Sequence, residues 1–267
     1  MTHGSLFSGI GGFEQAAQWV GIPTLWNCEI ASYPRRVLER RFPETKRYED
    51  VKKLSNPEYV DIINGGFPCQ DISLAGKGVG IIGTRSGLWY EMYRIVREVR
   101  PRFVIIENSP ALLYRGFERV LCDLSEVGYD AEWRCLSNAD FGFDHRRERL
   151  YVIAYSNEVK RQAGRIQEWS QTQGIFVPPS NQHSGFSLAQ RIFEMPDREH
   201  IGINDGIQGW THRIGCIGNA VNPVVAKYLF ECIILFENKI RGSRMVEKIT
   251  YIESGQFHPY KNLAVEE

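Results

Sequence analysis

Short apolar runs alternate with stretches of helical period along the first 155 residues, and this alternation restricts the chain to an α/β architecture. The runs predict strands at Ser5–Phe7, Thr24–Glu29, Val60–Asn64, Phe103–Glu107, Ala131–Leu136 and Leu150–Ala154, with a weaker one near Tyr48. Between them, Gly12–Val20, Tyr33–Arg41, Leu88–Val99 and Phe117–Val127 carry apolar residues at helical spacing. The expected fold is a mostly parallel sheet with helices on both faces. From about Ser156 the pattern stops, and the chain becomes polar and glutamine-rich, with Pro178-Pro179 and scattered glycines. An apolar helical pattern returns from Ala220 to Phe236. We therefore expect a body over 1–155, a small insert over 156–210, a segment returning to the body over 211–238 and a polar tail over 239–267.

Composition narrows the function classes. A chain of 267 residues with 43% hydrophobic content can bury one large core, or a core with a small appendage. The six cysteines are scattered, with no zinc-like spacing, and the chain is too large to depend on disulfides, so a reducing intracellular compartment is expected and no metal. The first residues lack a secretory pattern. The longest apolar run, Val221–Phe236, is broken by Lys227 and Glu231 and is too short for a membrane span. Net charge is zero, which argues against a large basic field. Basic residues nevertheless cluster at Arg35–Arg47, Arg94–Arg102, Arg146–Arg149 and Lys160–Arg165; all but the third read as solvated helix faces.

Two glycine-shaped turns carry the chemistry. In Leu6-Phe7-Ser8-Gly9-Ile10-Gly11-Gly12-Phe13 a strand runs through a glycine turn into a helix, a geometry that lets a nucleotide approach the backbone and the unpaired N–H groups of the helix start. Glu29, ending the next strand, is an acid that could grip ribose hydroxyls. Glu14 stands where a dinucleotide fingerprint wants a third glycine, which counts against NAD. The second turn, Asn64-Gly65-Gly66-Phe67-Pro68-Cys69-Gln70-Asp71-Ile72-Ser73, sets one cysteine just after an apolar run. A lone cysteine is usually a small inert hydrophobe, and Cys28, Cys122, Cys135 and Cys232 take that reading, with Cys216 undecided. Cys69 is open between that reading and a nucleophile.

Taken together and in this order, the motifs resemble those of the cytosine-C5 DNA methyltransferases of bacteria and phages, over about three-quarters of the chain. The resemblance implies a Rossmann-like methyltransferase domain that binds S-adenosylmethionine through Phe7, Gly9, Gly11, Glu29, Ile30, Asp50, Val51, Pro68 and Leu88. Asn219 and Val221, in Ile214-Gly215-Cys216-Ile217-Gly218-Asn219-Ala220-Val221-Asn222-Pro223, would return to close that site. It makes Cys69 the nucleophile and Glu107, in Ile105-Ile106-Glu107-Asn108-Ser109, the acid at the cytosine N3. Arg149, in His145-Arg146-Arg147-Glu148-Arg149, would bind the cytosine O2, and Arg147 would brace Glu107 or a DNA phosphate. Because these two arginines lead into a strand, they are expected on one face. Ser73 and Arg85 are candidate phosphate contacts, the latter in a glycine-rich stretch suited to a lid.

The resemblance further implies double-stranded DNA as substrate, a monomer, a cytoplasmic location and a cognate restriction endonuclease as a candidate partner. Departures are Ser5 for a usual acid, His145 for a glutamine, Ser109 for a valine, and an insert without the Thr-Leu pair of target-recognition regions. The alternatives are a tRNA cytosine-5 methyltransferase and a non-catalytic relative that binds S-adenosylmethionine or nucleic acid.

Overall fold

The computed structural model describes residues 1–68, 87–163, 175 and 220–240. In chain order the strands are β1 (His3–Leu6), β2 (Thr24–Cys28), β3 (Lys46–Tyr48), β4 (Ile62–Gly65), β5 (Phe103–Asn108), β6 (Tyr129–Ser137) and β7 (Glu148–Ser156). The helices are α1 (Gly12–Trp19), α2 (Ser32–Arg41), α3 (Leu88–Val99), α4 (Phe117–Glu126), α5 (Asn157–Ala163) and α6 (Pro223–Ile240). The strands form one sheet of order β3-β2-β1-β4-β5-β7-β6. From β3 to β5 neighbours are parallel, whereas β7 is antiparallel to both β5 and β6. Chain direction along the sheet switches between β1 and β4, and a parallel sheet opens a ligand crevice beyond its strand ends at such a point.

Strand alternation divides the core in two. Val104 and Ile106 of β5 join Leu150 and Val152 of β7 under α3 and α4, while Phe103, Ile105, Tyr151 and Ile153 face α1 and α6. Helix α3 buries Trp89, Met92, Ile95, Val96 and Val99, one stripe at helical spacing. On the opposite face α6 lies along α1, with the Phe13 and Phe230 rings edge to face at 6.3 Å. Gly4 is fixed by packing, because a Cβ there would fall 2.3 Å from the Trp26 ring.

The expected strands and helices appear with ends shifted by a few residues. The largest extensions are β6 and β7, whose mutual pairing runs from Tyr129↔Ser156 to Ser137↔Glu148 and includes polar residues that carry no apolar signal. Helix α6 starts at Pro223, not Ala220, because Asn222 Oδ1 accepts from Val224 N at 3.0 Å and caps it. Cys122 departs from the buried reading: it is exposed on α4, whose buried stripe is Phe117, Val120, Asp123 and Leu124. The basic clusters are partly used internally, Arg94 with Glu91 and Glu98, Arg102 with Glu237, and Lys160 with Asp130. Apart from Ser156 at the end of β7, α5 and Ile175, the expected insert lies outside the described residues, as does the tail beyond Ile240. No helix among the described residues is long and apolar enough to cross a membrane.

One buried polar contact ties α3 to α4. Trp89 Nε1 donates to Asp123 Oδ2 at 2.7 Å, and Arg119 Nε stands 2.9 Å from Oδ1. Asp123 is fully buried while the Arg119 side chain is half exposed, so the two partners carry unequal weight. Asp123→Ala should cost about 2–4 kcal/mol in urea unfolding, because it strands a buried indole N–H. Arg119→Ala should cost under about 1 kcal/mol. Equal losses in the two variants would contradict this assignment.

Candidate active site

The C-terminal ends of β1, β4 and β5 deliver three segments to one edge of the sheet. After β1 the chain turns through Phe7, Gly9 and Gly11, all left-handed at φ 55°, 55° and 91°. Glycine adopts that region freely; Phe7 does not, so the turn holds a strained residue at the site. Gly11 caps α1 with no side-chain bond, which leaves first-turn N–H groups of the helix for a ligand. Glu29, just past β2, accepts from Gly9 N and from Ala31 N, each at 2.8 Å, and so pins the turn.

The second and third segments bring a carboxyl against this turn. Glu107 and Tyr151 are register partners on β5 and β7, and Arg149 lies two residues from Tyr151, so all three project to the α1 face. Arg149 Nε stands 3.2 Å from Glu107 Oε1. On the other side a Cβ on Gly66, just past β4, would lie 2.8 Å from Glu107 Oε2, so any larger residue there would displace the carboxyl. Burial pushes the Glu107 carboxyl above its ordinary value even though Arg149 and Arg147 both pull it down. Burial, then the charge of Arg149, lowers Arg147 in turn. Phe7, Ser8, Gly9, Glu107 and Val221 line one cleft of about 340 Å³, open solvent included. A strained glycine turn and a buried carboxyl of raised pKa therefore share a single opening.

The sequence profile of the C-5 cytosine-specific DNA methylases matches residues 1–202, three-quarters of the chain. The chain belongs to that family. Curated relatives include Type II methyltransferase M.NgoBI of Neisseria gonorrhoeae, 34% identical over 58% of this chain and 50% of that protein. Type II methyltransferase M2.BsuMI of Bacillus subtilis is 35% identical over 56% of this chain and 41% of its own length. The chain thus spans about half the length of the relatives it matches. Among solved structures, one described as a DNA modification methyltransferase encoded within an E. coli prophage superposes with a TM-score of 0.52 at 26% identity, covering 60% of this chain and 48% of that one.

Of the family-type residues expected from sequence, Phe7, Gly9, Val221 and Glu107 meet in the cleft, and Glu29 is bonded to Gly9. Val221 returns to the turn closely enough that a Cβ on Gly12 would fall 2.5 Å from its carbonyl oxygen. Ile30, next to Glu29 in the chain, is 70% exposed, an uncovered apolar side chain. Asp50 accepts from Lys52 N at 2.9 Å. Val51 is buried in the core, its carbonyl accepting from Arg94, and Leu88 packs against the same core. These three do not line the cleft. Arg147 precedes the first residue of β7, and the ion pair with Glu107 is made by Arg149. Pro68 is half-buried; Cys69, Ser73, Arg85 and Asn219 lie outside the described residues.

Sequence reasoning missed Asn108. Its amide Nδ2 donates to Phe67 O at 3.2 Å and its Oδ1 accepts from Ser109 N at 2.8 Å, so it clamps the end of β5 to the segment that precedes Cys69. An asparagine beside a catalytic-type acid, at the end of an apolar strand, was the available signal. The electrostatics of Glu107 are directly testable. Titrating its side-chain carboxyl by carbon-13 NMR should give a pKa above the ordinary carboxylate value, and Arg149→Met should raise it further, since a cation that lowers it has gone. An unchanged or lower value in the variant would contradict the pairing.

Proposed function

We propose that the chain is a DNA (cytosine-5-)-methyltransferase that takes its methyl group from S-adenosylmethionine and acts on a cytosine flipped out of duplex DNA. The observation that carries this reading is the shared cleft, where the glycine turn meets Glu107. We further read the body over 1–155 and the returning segment over 211–238 as the catalytic unit, with 156–210 as the target-recognition insert. The protein is read as an intracellular monomer, with a restriction endonuclease as a candidate partner.

The residues present fit the cofactor. A Cβ on Gly9 would meet nothing within 4 Å, so the turn leaves open space on its outer side. Glu29 is held by two backbone N–H groups, and each carboxylate oxygen keeps a lone pair for a ribose hydroxyl. Exposed Ile30 offers an apolar surface to a purine, and the uncapped start of α1 offers N–H groups to a carboxylate. Phe7, Gly11, Asp50, Val51, Pro68, Leu88, Asn219 and Val221 complete the proposed binding set. When bound, S-adenosylmethionine supplies an electrophilic methyl group for C5 of the base.

Cytosine C5 is a poor nucleophile until ring conjugation is broken. The Cys69 thiolate adds to C6, and the electron pair released makes C5 an enamine-like carbon able to accept a methyl group. Glu107, whose carboxyl holds a proton above the ordinary range, shares that proton with N3 and offsets the charge developing in the ring. Arg149 donates to O2 while fixing Glu107. Arg147 adds positive charge, and loss of the C5 proton then expels the sulfur and restores the ring. Ser73 and Arg85 are read as phosphate contacts that hold the duplex while the base is extruded.

Cys69→Ser should reduce methyl transfer to duplex DNA by more than about a thousandfold, because a hydroxyl replaces the thiolate nucleophile. Its affinity for S-adenosylmethionine, measured by calorimetry, should stay within about twofold, a change below the resolution of most binding energies. Turnover near the wild-type rate in this variant would rule out the covalent route.

A further inference from the structure

A row of buried polar side chains crosses the sheet beneath the cofactor turn. Ser5 on β1 is the register partner of Asn27 on β2 and of Asn64 on β4, and all three are buried to 1% exposure or less. In-register residues of parallel strands project to the same face, here the α1 face. Asn64 is already engaged: it accepts from His3 Nε2, while Thr24 Oγ1 donates to His3 Nδ1 at 2.8 Å. Helix α1 brings Glu14 into this apolar layer with 1% exposure. Neither Glu14 carboxyl oxygen makes a hydrogen bond of full geometry, and neither does Asn27 Nδ2. The polar neighbours of the Glu14 carboxyl are its own backbone N–H and the hydroxyls of Ser8 and Ser5, and Ser8 Oγ donates to Ser5 Oγ at 2.9 Å. Ser8 in turn lines the cleft between strained Phe7 and Gly9.

We propose that Glu14 is a positioning residue for cofactor binding: its buried carboxyl joins the Ser5 and Ser8 hydroxyls and, through Ser8, holds the Phe7–Gly11 turn in its ligand-ready form. The inference rests on reading the cleft as the S-adenosylmethionine site. Burying an unpaired carboxylate is costly, so the neutral acid is the form that fits, and burial pushes its pKa up to about 7 with Glu29 adding to the shift. The carboxyl then donates its proton into the serine pair below that pH and loses it above.

Other groups do not reproduce this step. His3 is pushed down to about 4 and Cys28 up to about 12 by burial, so neither changes charge near neutrality. On α6, Lys227 pairs with Glu231 and Glu237 with Arg102, and burial raises Tyr228 out of range. Arg41 reaches α1 only at Gln15, whose amide oxygen accepts from its guanidinium. Glu107 and the ligand's own amino group act alike in wild type and in Glu14→Gln and cancel in a ratio of dissociation constants, whereas the charge of Glu29 is part of what raises Glu14.

The test is calorimetric titration of wild type and Glu14→Gln with S-adenosylmethionine between pH 5.5 and 8. The glutamine amide keeps a neutral donor and cannot ionise. The wild-type dissociation constant divided by that of Glu14→Gln should rise about tenfold across this range, a coupling of ordinary size between linked sites. Ser8→Ala should remove most of the rise, because Ser8 carries the connection. Glu14→Leu, checked for folding by its melting curve, should bind about tenfold more weakly than wild type at pH 5.5. A ratio that stays flat, or Glu14→Leu binding as wild type does, overturns the inference. Wild type that binds no S-adenosylmethionine at any pH overturns the cofactor reading itself and the inference with it.

Discussion

The carboxyl of Glu107 is wedged between a glycine and a guanidinium, and most of the site follows from that placement. Gly66 lets β4 come within contact of Glu107 Oε2, and Arg149 closes from the other side at 3.2 Å. Burial alone would drive the carboxyl far towards the neutral acid, whereas two arginines alone would hold it ionised. The balance leaves it able to hold a proton yet still paired. That is the condition required by the role proposed for Glu107 at a ring nitrogen.

The sheet topology produces this balance. Parallel β1, β4 and β5 end at the same edge, so the glycine turn and Glu107 arrive together beside the β1/β4 switch point. A parallel neighbour of β5 would have begun at the opposite edge and brought only its last residues here. The antiparallel β7 instead starts there, which puts Arg149 beside Glu107 at the beginning of a strand whose later residues, Val152 to Ala154, are fully buried. Helix α6 returns along α1 and brings Val221 against Gly12, so the wall of the cleft depends on a segment more than 200 residues away in sequence. The interlocking of Trp26 with Gly4 and of Trp89 with Asp123 gives this arrangement a stiff base.

Much of this was legible in the chain. Apolar runs marked the central strands, because residues buried on both faces leave continuous hydrophobic stretches, whereas β3, Lys46–Tyr48, has no apolar run and gave only a weak signal near Tyr48; α3 was readable to both ends from its Trp89-to-Val99 stripe. Glu107 and Arg149 were identified from motif order, but not their pairing, since periodicity reports burial and not register. The antiparallel sense of β7 was invisible for the same reason. Buried polar residues were the least readable: Glu14, Asn27 and Asn64 look like solvent positions in sequence, and only tertiary packing reveals that each is enclosed. Cys122 was misread in the opposite sense, because its helical run is apolar overall while its own position faces outward.

In the proposed mechanism the thiol of Cys69, which follows β4 in sequence, attacks a cytosine held by Glu107 and Arg149. Duplex DNA of randomised sequence in which cytosine is replaced by 5-fluorocytosine tests it most directly, since fluorine cannot leave C5 as a proton does and the covalent species persists. Incubation with the protein and S-adenosylmethionine, followed by proteolysis and mass spectrometry, should place a methylated nucleotide adduct on Cys69. An adduct on another cysteine, or none with DNA that is bound, would contradict it.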